Sequence, residues 1–283
     1  MFVDLRWPYW HRPSAPALEI LSAPPAQGRA VRSAPVVFVH GAFVAGWCWQ
    51  AHFLDYFAAC GFHAVAPSLR GHGASEGRAR LDGYGIREYV ADLERVITGL
   101  DGPPPVLVGH SMGALVVQRY LERSAAAAAV LMAPIPPQGL WPSTLRMAVG
   151  DPLLYAQYGL MQAFGSGAVD TDTAQRAIFS ERLPADAMAD YARRVQRESQ
   201  RALWEMNVHA AGRPWLSPSR VPLQVIAGGA DALFDADETR AVASLWQAPW
   251  QSLPGMGHAM MLEPGWQQAA DAIIRWIWQQ GIR

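Results

Sequence analysis

Three side chains carry the chemistry that this chain could perform: Ser111, Asp231 and His258. Ser111 lies in Gly109-His110-Ser111-Met112-Gly113, the spacing G-x-S-x-G, in which serine sits on a sharp strand-to-helix turn and the glycines give the backbone room. A serine hydroxyl is a poor nucleophile by itself. It needs a base to accept its proton, an acid to orient that base, and N–H donors for the oxyanion that develops. Asp231 follows the apolar run "LQVIAGG", and His258 lies in the glycine-flanked "PGMGHAMMLEP". The stretch "DALFDADE" also offers Asp235 as a rival acid, with Asp231 then a helix cap, and Asp237 as a weaker candidate.

The elements that must position these groups follow from hydrophobic periodicity. Short apolar runs at Val36–His40, Phe62–Ala66, Val106–Gly109, Ala127–Ala133 and Leu223–Gly228 have strand length and end in turn signals, and "PWQSL" adds another strand near the C-terminus. Between them lie helical patterns: "HFLDYFAAC", "IREYVADLERVITGL" with Ile86, Val90, Leu93 and Ile97 on one face, and the run that starts at Ser111. The alternation predicts an α/β fold with a mostly parallel sheet covered by helices on both faces, its site built from loops at the carboxyl ends of the strands.

The rhythm breaks once, between Pro134 and Pro218, where short helical pieces are punctuated by "PIPPQ", "GSG" and "SPSR". The expected organisation is a core in two parts, 1–133 and 219–283, with a helical insertion at 134–218. The insertion is rich in aromatic and methionine side chains, among them Trp141, Met147, Phe179, Met188, Tyr191 and Met206. These suit a small helical core or the wall of an apolar pocket.

Composition removes several function classes. All 23 basic residues are arginine, so every mechanism that needs a lysine amine is excluded, Schiff-base and pyridoxal chemistry included. A net charge of −1 gives no electrostatic case for nucleic acid. The longest apolar run, Ala125 to Ile135, falls far short of the ~20 residues that cross a bilayer, so no membrane span is expected. With Cys48 and Cys60 alone there is no disulfide framework, and the opening "MFVDLRWPYWHRPSAP" lacks a signal peptide's apolar core. A cytoplasmic protein is expected. No spacing among the eight histidines predicts a metal site.

The order Ser111, Asp231, His258, together with "VHGAF" and "PSLRGHGAS", resembles the α/β-hydrolase family from about Leu18 to Trp278, with the insertion where that family carries its cap. The resemblance implies that Ser111 is the nucleophile, His258 the general base and then acid, and Asp231 the carboxylate that orients the imidazole. It also implies an oxyanion hole from the backbone N–H groups of Ala42 and Met112, and it calls for no cofactor. The expected activity is hydrolysis of a small-molecule ester or thioester with an apolar acyl group, with Phe43, Trp141 and Met261 lining the pocket. A serine rather than an aspartate at the elbow argues against the family's dehalogenase and epoxide hydrolase branches, and the missing lysine weakens a cyanohydrin lyase. Other lyases, C–C bond hydrolases, perhydrolases and a catalytically retired receptor remain alternatives.

Further residues have structural readings. His40, His72 and His110 are expected to support loops, and Glu263 to cap the last helix, which packs through Ala269, Ile273, Trp276 and Ile277. Trp47 and Trp49 suit core or pocket rim. The spacings of Arg193, Arg194, Arg197 and Arg201 put several of them on one helix face, expected to be solvated.

Overall fold

Among the described residues seven strands form a single sheet in the order β1-β3-β2-β4-β5-β6-β7. They are β1 (Ile20–Ala23), β2 (Val36–Val39), β3 (Ala64–Pro67), β4 (Val106–His110), β5 (Ala128–Met132), β6 (Leu223–Gly228) and β7 (Trp250–Leu253). The structure is a computed structural model that describes residues 15–28, 31–32, 34–164, 170–208, 216 and 221–282. The opening segment read for a signal peptide falls mostly outside the described residues, and "GSG" and "SPSR" in the insertion fall wholly outside them.

The central strands are apolar along their whole length because helices cover both faces: every residue of β2, β3, β4, β5 and β6 is buried. All pairings are parallel except that of β1, which runs antiparallel along β3 with Ile20 opposite Pro67. β1 is absent from the expected strands. It has four residues, is half exposed and sits at an edge, so it lacks the continuous apolar signature of its neighbours.

The register brings the chemistry to one place. Val39 of β2 aligns with Gly109 of β4, and Gly109 with Leu131 of β5, so the loops that leave these strands start at one level. From β2 the chain moves to β3 on one side, and β4 follows on the other. Such a switch point opens a crevice beyond the carboxyl ends of the strands, and the loops after β2 and β4 border it.

Helices α1 (Trp47–Gln50), α2 (Phe53–Ala59), α3 (Ile86–Thr98) and α4 (Met112–Leu121) precede β5, and α10 (Ala236–Trp246) and α11 (Trp266–Gln279) follow β6. Trp49 is wholly buried, its ring 5.0 Å from Phe38 and 5.3 Å from Phe53. Between β5 and β6 the described residues form five helices and no strand: α5 (Trp141–Gly150), α6 (Pro152–Phe164), α7 (Thr171–Ile178), α8 (Ala185–Arg194) and α9 (Gln200–Val208).

The expectation that several of Arg193, Arg194, Arg197 and Arg201 share one helix face is corrected here. The chain leaves the helix at Val195 (φ −66°, ψ 140°), so Arg193 and Arg194 end α8, Arg197 lies in the connection and Arg201 belongs to α9. Their partners are Asp190, Asp82 and the pair Glu88 and Glu205. Among the described residues no helix is long and apolar enough to cross a membrane.

Candidate active site

Ser111 occupies the turn between β4 and α4 with φ 51° and ψ −116°, a left-handed conformation that costs a non-glycine residue about 1–3 kcal/mol. Close approach of the surrounding backbone explains both flanking glycines. A Cβ on Gly109 would lie 2.5 Å from the carbonyl oxygen of Gly113, and one on Gly113 would lie 2.5 Å from that of His40. The Ser111 amide donates to the Met132 carbonyl at 3.0 Å, which fastens the turn to β5.

His258 and Asp231 come from the loops after β7 and β6. The imidazole Nδ1 lies 2.8 Å from Asp231 Oδ2, and both side chains are buried. The carboxylate accepts a hydrogen bond from Nδ1–H, and in that tautomer Nε2 carries the lone pair. The other oxygen, Oδ1, accepts the amides of Leu233 at 2.8 Å and Phe234 at 3.1 Å. Asp235 does something else: it caps α10 by accepting the amides of Asp237 and Glu238 at 3.0 and 2.9 Å. Phe234 packs edge-on to the His258 ring at 5.2 Å. On the other side His110 donates from Nε2 to the His258 carbonyl at 2.9 Å, and burial holds the His110 pKa well below the ordinary histidine value.

The loop after β2 lies against the serine turn, where a Cβ on Gly41 would sit 3.3 Å from Ser111 Cβ. His40 supports this loop by donating from Nδ1 to the Gly41 carbonyl at 2.8 Å and accepting the Leu69 amide at Nε2. Burial, reinforced by the neighbouring His72, lowers its pKa to about 3. Ala42 follows, and then Phe43 at φ 67°. Met112 is the first residue of α4, where amides lack an intrahelical partner.

These features coincide with a family match. The description "Alpha/beta hydrolase family" fits residues 36–272 of the chain. The chain belongs to the alpha/beta hydrolase family. Among its relatives, a Synechocystis protein named "Putative non-heme chloroperoxidase" is 30% identical over 250 residues, covering 80% of this chain and 85% of the relative. The "Bifunctional esterase/perhydrolase DCH" of Acinetobacter calcoaceticus is 37% identical over 114 residues, 38% of this chain and 39% of the relative. Among solved structures, a thermophilic esterase from Thermogutta terrifontis aligns with a TM-score of 0.70 at 20% identity, over 95% of this chain and 96% of that one. At that identity the likeness is one of fold.

In this α/β-hydrolase Ser111 and His258 line the same cavity, together with Ala42, Phe43 and Met261. The insertion supplies the opposite wall, with Met147, Phe179, Met188, Tyr191 and Met206. Trp141 does not line it. Its side chain is 66% exposed on the outside of α5, because the opposite face of that helix, through Leu140, Ser143 and Met147, turns inward. Trp204 is likewise 60% exposed. Of the two tryptophans left open by the sequence, Trp49 belongs to the core and Trp47 lines the cavity.

The loops carrying the candidate residues are held from the insertion. Arg146 of α5 donates to the Leu233 carbonyl at 2.8 Å, beside Asp231. The Ala259 amide, next to His258, donates to Ile178 at 3.0 Å. Glu263 does not cap the last helix, whose N-cap is Gly265; instead its buried carboxylate accepts the amides of Gly257 and Ser180. Glu198 accepts the amide of Phe43. In the sequence Glu198 stands among Arg197, Gln200 and Arg201 and has the look of a solvated charge run, which is why its burial gave no signal. Among the described residues no group of His, Cys, Asp and Glu is arranged to hold a metal ion.

Proposed function

We propose that the protein is a serine hydrolase that cleaves a carboxylic ester or thioester with an apolar acyl group. The observation that carries this reading is the contact of His258 Nδ1 with Asp231 Oδ2 at 2.8 Å, with the His258 ring lining the same cavity as Ser111. In the proposed reaction His258 Nε2 takes the Ser111 proton as Oγ attacks the carbonyl carbon. The oxyanion is met by the amides of Ala42 and Met112. His258 then delivers its proton to the departing alcohol or thiol, leaving an acyl-Ser111. Water attacks the acyl carbon with its proton passing to His258, and the acid leaves as Ser111 recovers that proton. Asp231 holds the imidazole in the tautomer that this sequence needs and stabilises its charged form.

The apolar acyl preference draws support from the cavity walls, where Met147, Phe179, Met188 and Met206 face the catalytic side. We treat residues 134–218 as a cap over that cavity, and Phe43 and Met261 as part of the substrate pocket. The sequence has only Cys48 and Cys60 and so no disulfide framework, and on that ground we assign the enzyme to a reducing cytoplasm.

A fluorophosphonate probe followed by intact mass tests the reading. The expected result is one adduct on Ser111, absent in Ser111→Ala, with turnover of acyl esters by the same preparation. An unlabelled Ser111 in folded protein would support a retired receptor. Acyl transfer to hydrogen peroxide in preference to water would make the enzyme a perhydrolase.

A further inference from the structure

A carboxylate from the insertion lies wholly buried behind the loop after β2. Glu198 sits in the connection between α8 and α9, and neither its side chain nor that of His72 is exposed to solvent. Oε2 of Glu198 faces His72 Nε2 at 3.0 Å and the Phe43 amide at 3.3 Å. Oε1 accepts the Tyr89 hydroxyl at 2.8 Å and the Ser199 amide at 2.7 Å. His72 Nδ1 lies 3.1 Å from the Arg70 carbonyl oxygen. Both ring nitrogens of His72 therefore face acceptors, and only an imidazolium can donate from both.

Burial acts against both charges, but each offsets it for the other. The carboxylate of Glu198 and the Arg70 carbonyl raise the His72 pKa above its usual value despite burial and the Arg78 charge. His72 and the donors around Glu198 hold that carboxyl below its usual value. The rings of His40, at 5.0 Å, and Tyr89, at 5.6 Å, complete the surroundings of His72.

A buried ion pair of this kind is weak evidence for a stabilising role, since apolar residues of equal volume often do as well. Its location points elsewhere. Phe43 is a non-glycine residue at φ 67°. Its N–H is taken by Glu198 and its carbonyl accepts the Gln196 amide at 2.8 Å, so the insertion holds it at both ends. The Phe43 N–H belongs to the peptide that starts at Ala42. Fixing that peptide fixes the torsions of Ala42, one bond from the amide assigned to the oxyanion.

We propose that Glu198, paired with His72, is a positioning residue that holds the Ala42–Phe43 turn so that the Ala42 amide meets the oxyanion, and that the insertion thereby completes the catalytic apparatus. This rests on the serine hydrolase reading given above. Removing a single oxyanion donor outright costs about 100- to 1,000-fold in kcat, so displacing one through its neighbour should cost less. The expectation for Glu198→Gln is a fall of about 10- to 100-fold in kcat with KM within about threefold of wild type. The fall should be the same for acetyl and hexanoyl esters, because the lost contact is with the carbonyl oxygen and not with the acyl chain. The rate at which Ser111 takes up a neutral fluorophosphonate should drop in step. Tyr89→Phe removes a partner of the same carboxylate but leaves Oε2 on Phe43, and kcat should stay within about threefold of wild type.

Circular dichroism and urea melts establish that each variant is folded at the assay temperature. Folded Glu198→Gln with kcat within threefold of wild type would overturn the proposal, as would equal kcat losses in Glu198→Gln and Tyr89→Phe. If Glu198→Gln does not fold, His72→Gln replaces it, with the same expected loss in kcat and the same threshold for rejection. On the wild-type protein, nitrogen-15 spectra of histidine should show the His72 ring protonated at both nitrogens at neutral pH, and a neutral ring would also overturn the pairing. Ser111→Ala separates the two levels: turnover that survives it defeats the serine hydrolase reading. Turnover lost in Ser111→Ala but kept in Glu198→Gln defeats the role of Glu198 alone.

Discussion

The Glu263 carboxylate and the Ser180 amide meet at 2.7 Å, and the same Oε1 accepts the Gly257 amide at 2.7 Å, so one buried side chain joins the loop of His258 to the insertion. The Ser180 hydroxyl adds a third bond, to Oε2, at 3.0 Å. Gly257 is required there, because a Cβ on it would lie 2.5 Å from Glu263 Oε1 and 2.7 Å from the Ser180 nitrogen. Glu263→Gln replaces two acceptor oxygens by one acceptor and one donor. It should destabilise the fold by about 1–3 kcal/mol and lower kcat, since His258 adjoins Gly257. A urea melt together with steady-state kinetics checks this, and an unchanged midpoint would show that the tie carries no stability.

Ser111→Ala and His258→Ala should each lower ester turnover by several orders of magnitude, and the double variant should be scarcely worse, because nucleophile and base act as one unit. Both should fold. Active-site kinetics on the purified single and double variants decide it, and near wild-type turnover in either single variant would remove that residue from the mechanism.

Asp231→Asn should cause a large loss of turnover, because it removes the charge that faces imidazolium and favours the wrong tautomer of His258. Asp235→Asn should leave turnover close to wild type and cost at most about 1 kcal/mol, since asparagine is also a good N-cap. Measuring kcat/KM for both variants gives the ranking, and the reverse order would move the acid to Asp235.

Specificity should follow the apolar walls of the cavity. Each buried methylene contributes about 0.8 kcal/mol, so kcat/KM should rise severalfold per added carbon from acetyl through butyryl and hexanoyl esters until the cavity ends. Trp141→Ser should leave that series unchanged, because the tryptophan faces solvent. A series that is flat from acetyl onward would mean that the acyl group lies elsewhere.

Stability should depend on pH through the buried histidines, with opposite signs. His40 and His110 have pKa values below the ordinary 6.5, so the unfolded chain binds protons that the folded one refuses, and stability falls as pH drops below 6.5. His72 has a raised pKa, so its contribution is complete below 6.5 and is lost as pH rises through its folded value. Glu198 has a lowered pKa, so its contribution is present above the ordinary value of 4.5 and is lost as pH falls through its folded value. Urea midpoints from pH 4 to 9 should therefore show an acid limb that steepens below 6.5, and a midpoint that does not change between pH 6.5 and 5 would refute the neutral state of His40 and His110.

The strands, the elbow and its glycines were legible in the sequence because their causes are local. A strand covered on both faces must be apolar throughout, as in "VLVG", and a serine at positive φ between closely approaching backbones needs glycine on either side. The switch from strand to helix periodicity at Ser111 is written in consecutive residues. Other features depend on what a segment meets across space. β1 is a strand because β3 offers it an edge, not because its four residues have a strong pattern. Asp231 and Asp235 are alike in composition and neighbourhood, and only the position of the His258 loop makes one a partner of imidazole and the other a helix cap. Trp141 and Met147 are both apolar residues of α5, and the way that helix seats over the core turns the first to solvent and the second to the cavity. In sequence Glu198 looks like a surface charge and Glu263 like a helix cap. They are buried because each satisfies backbone amides from distant segments, and unpaired donors in the interior cost more than the desolvation of a well-partnered carboxylate.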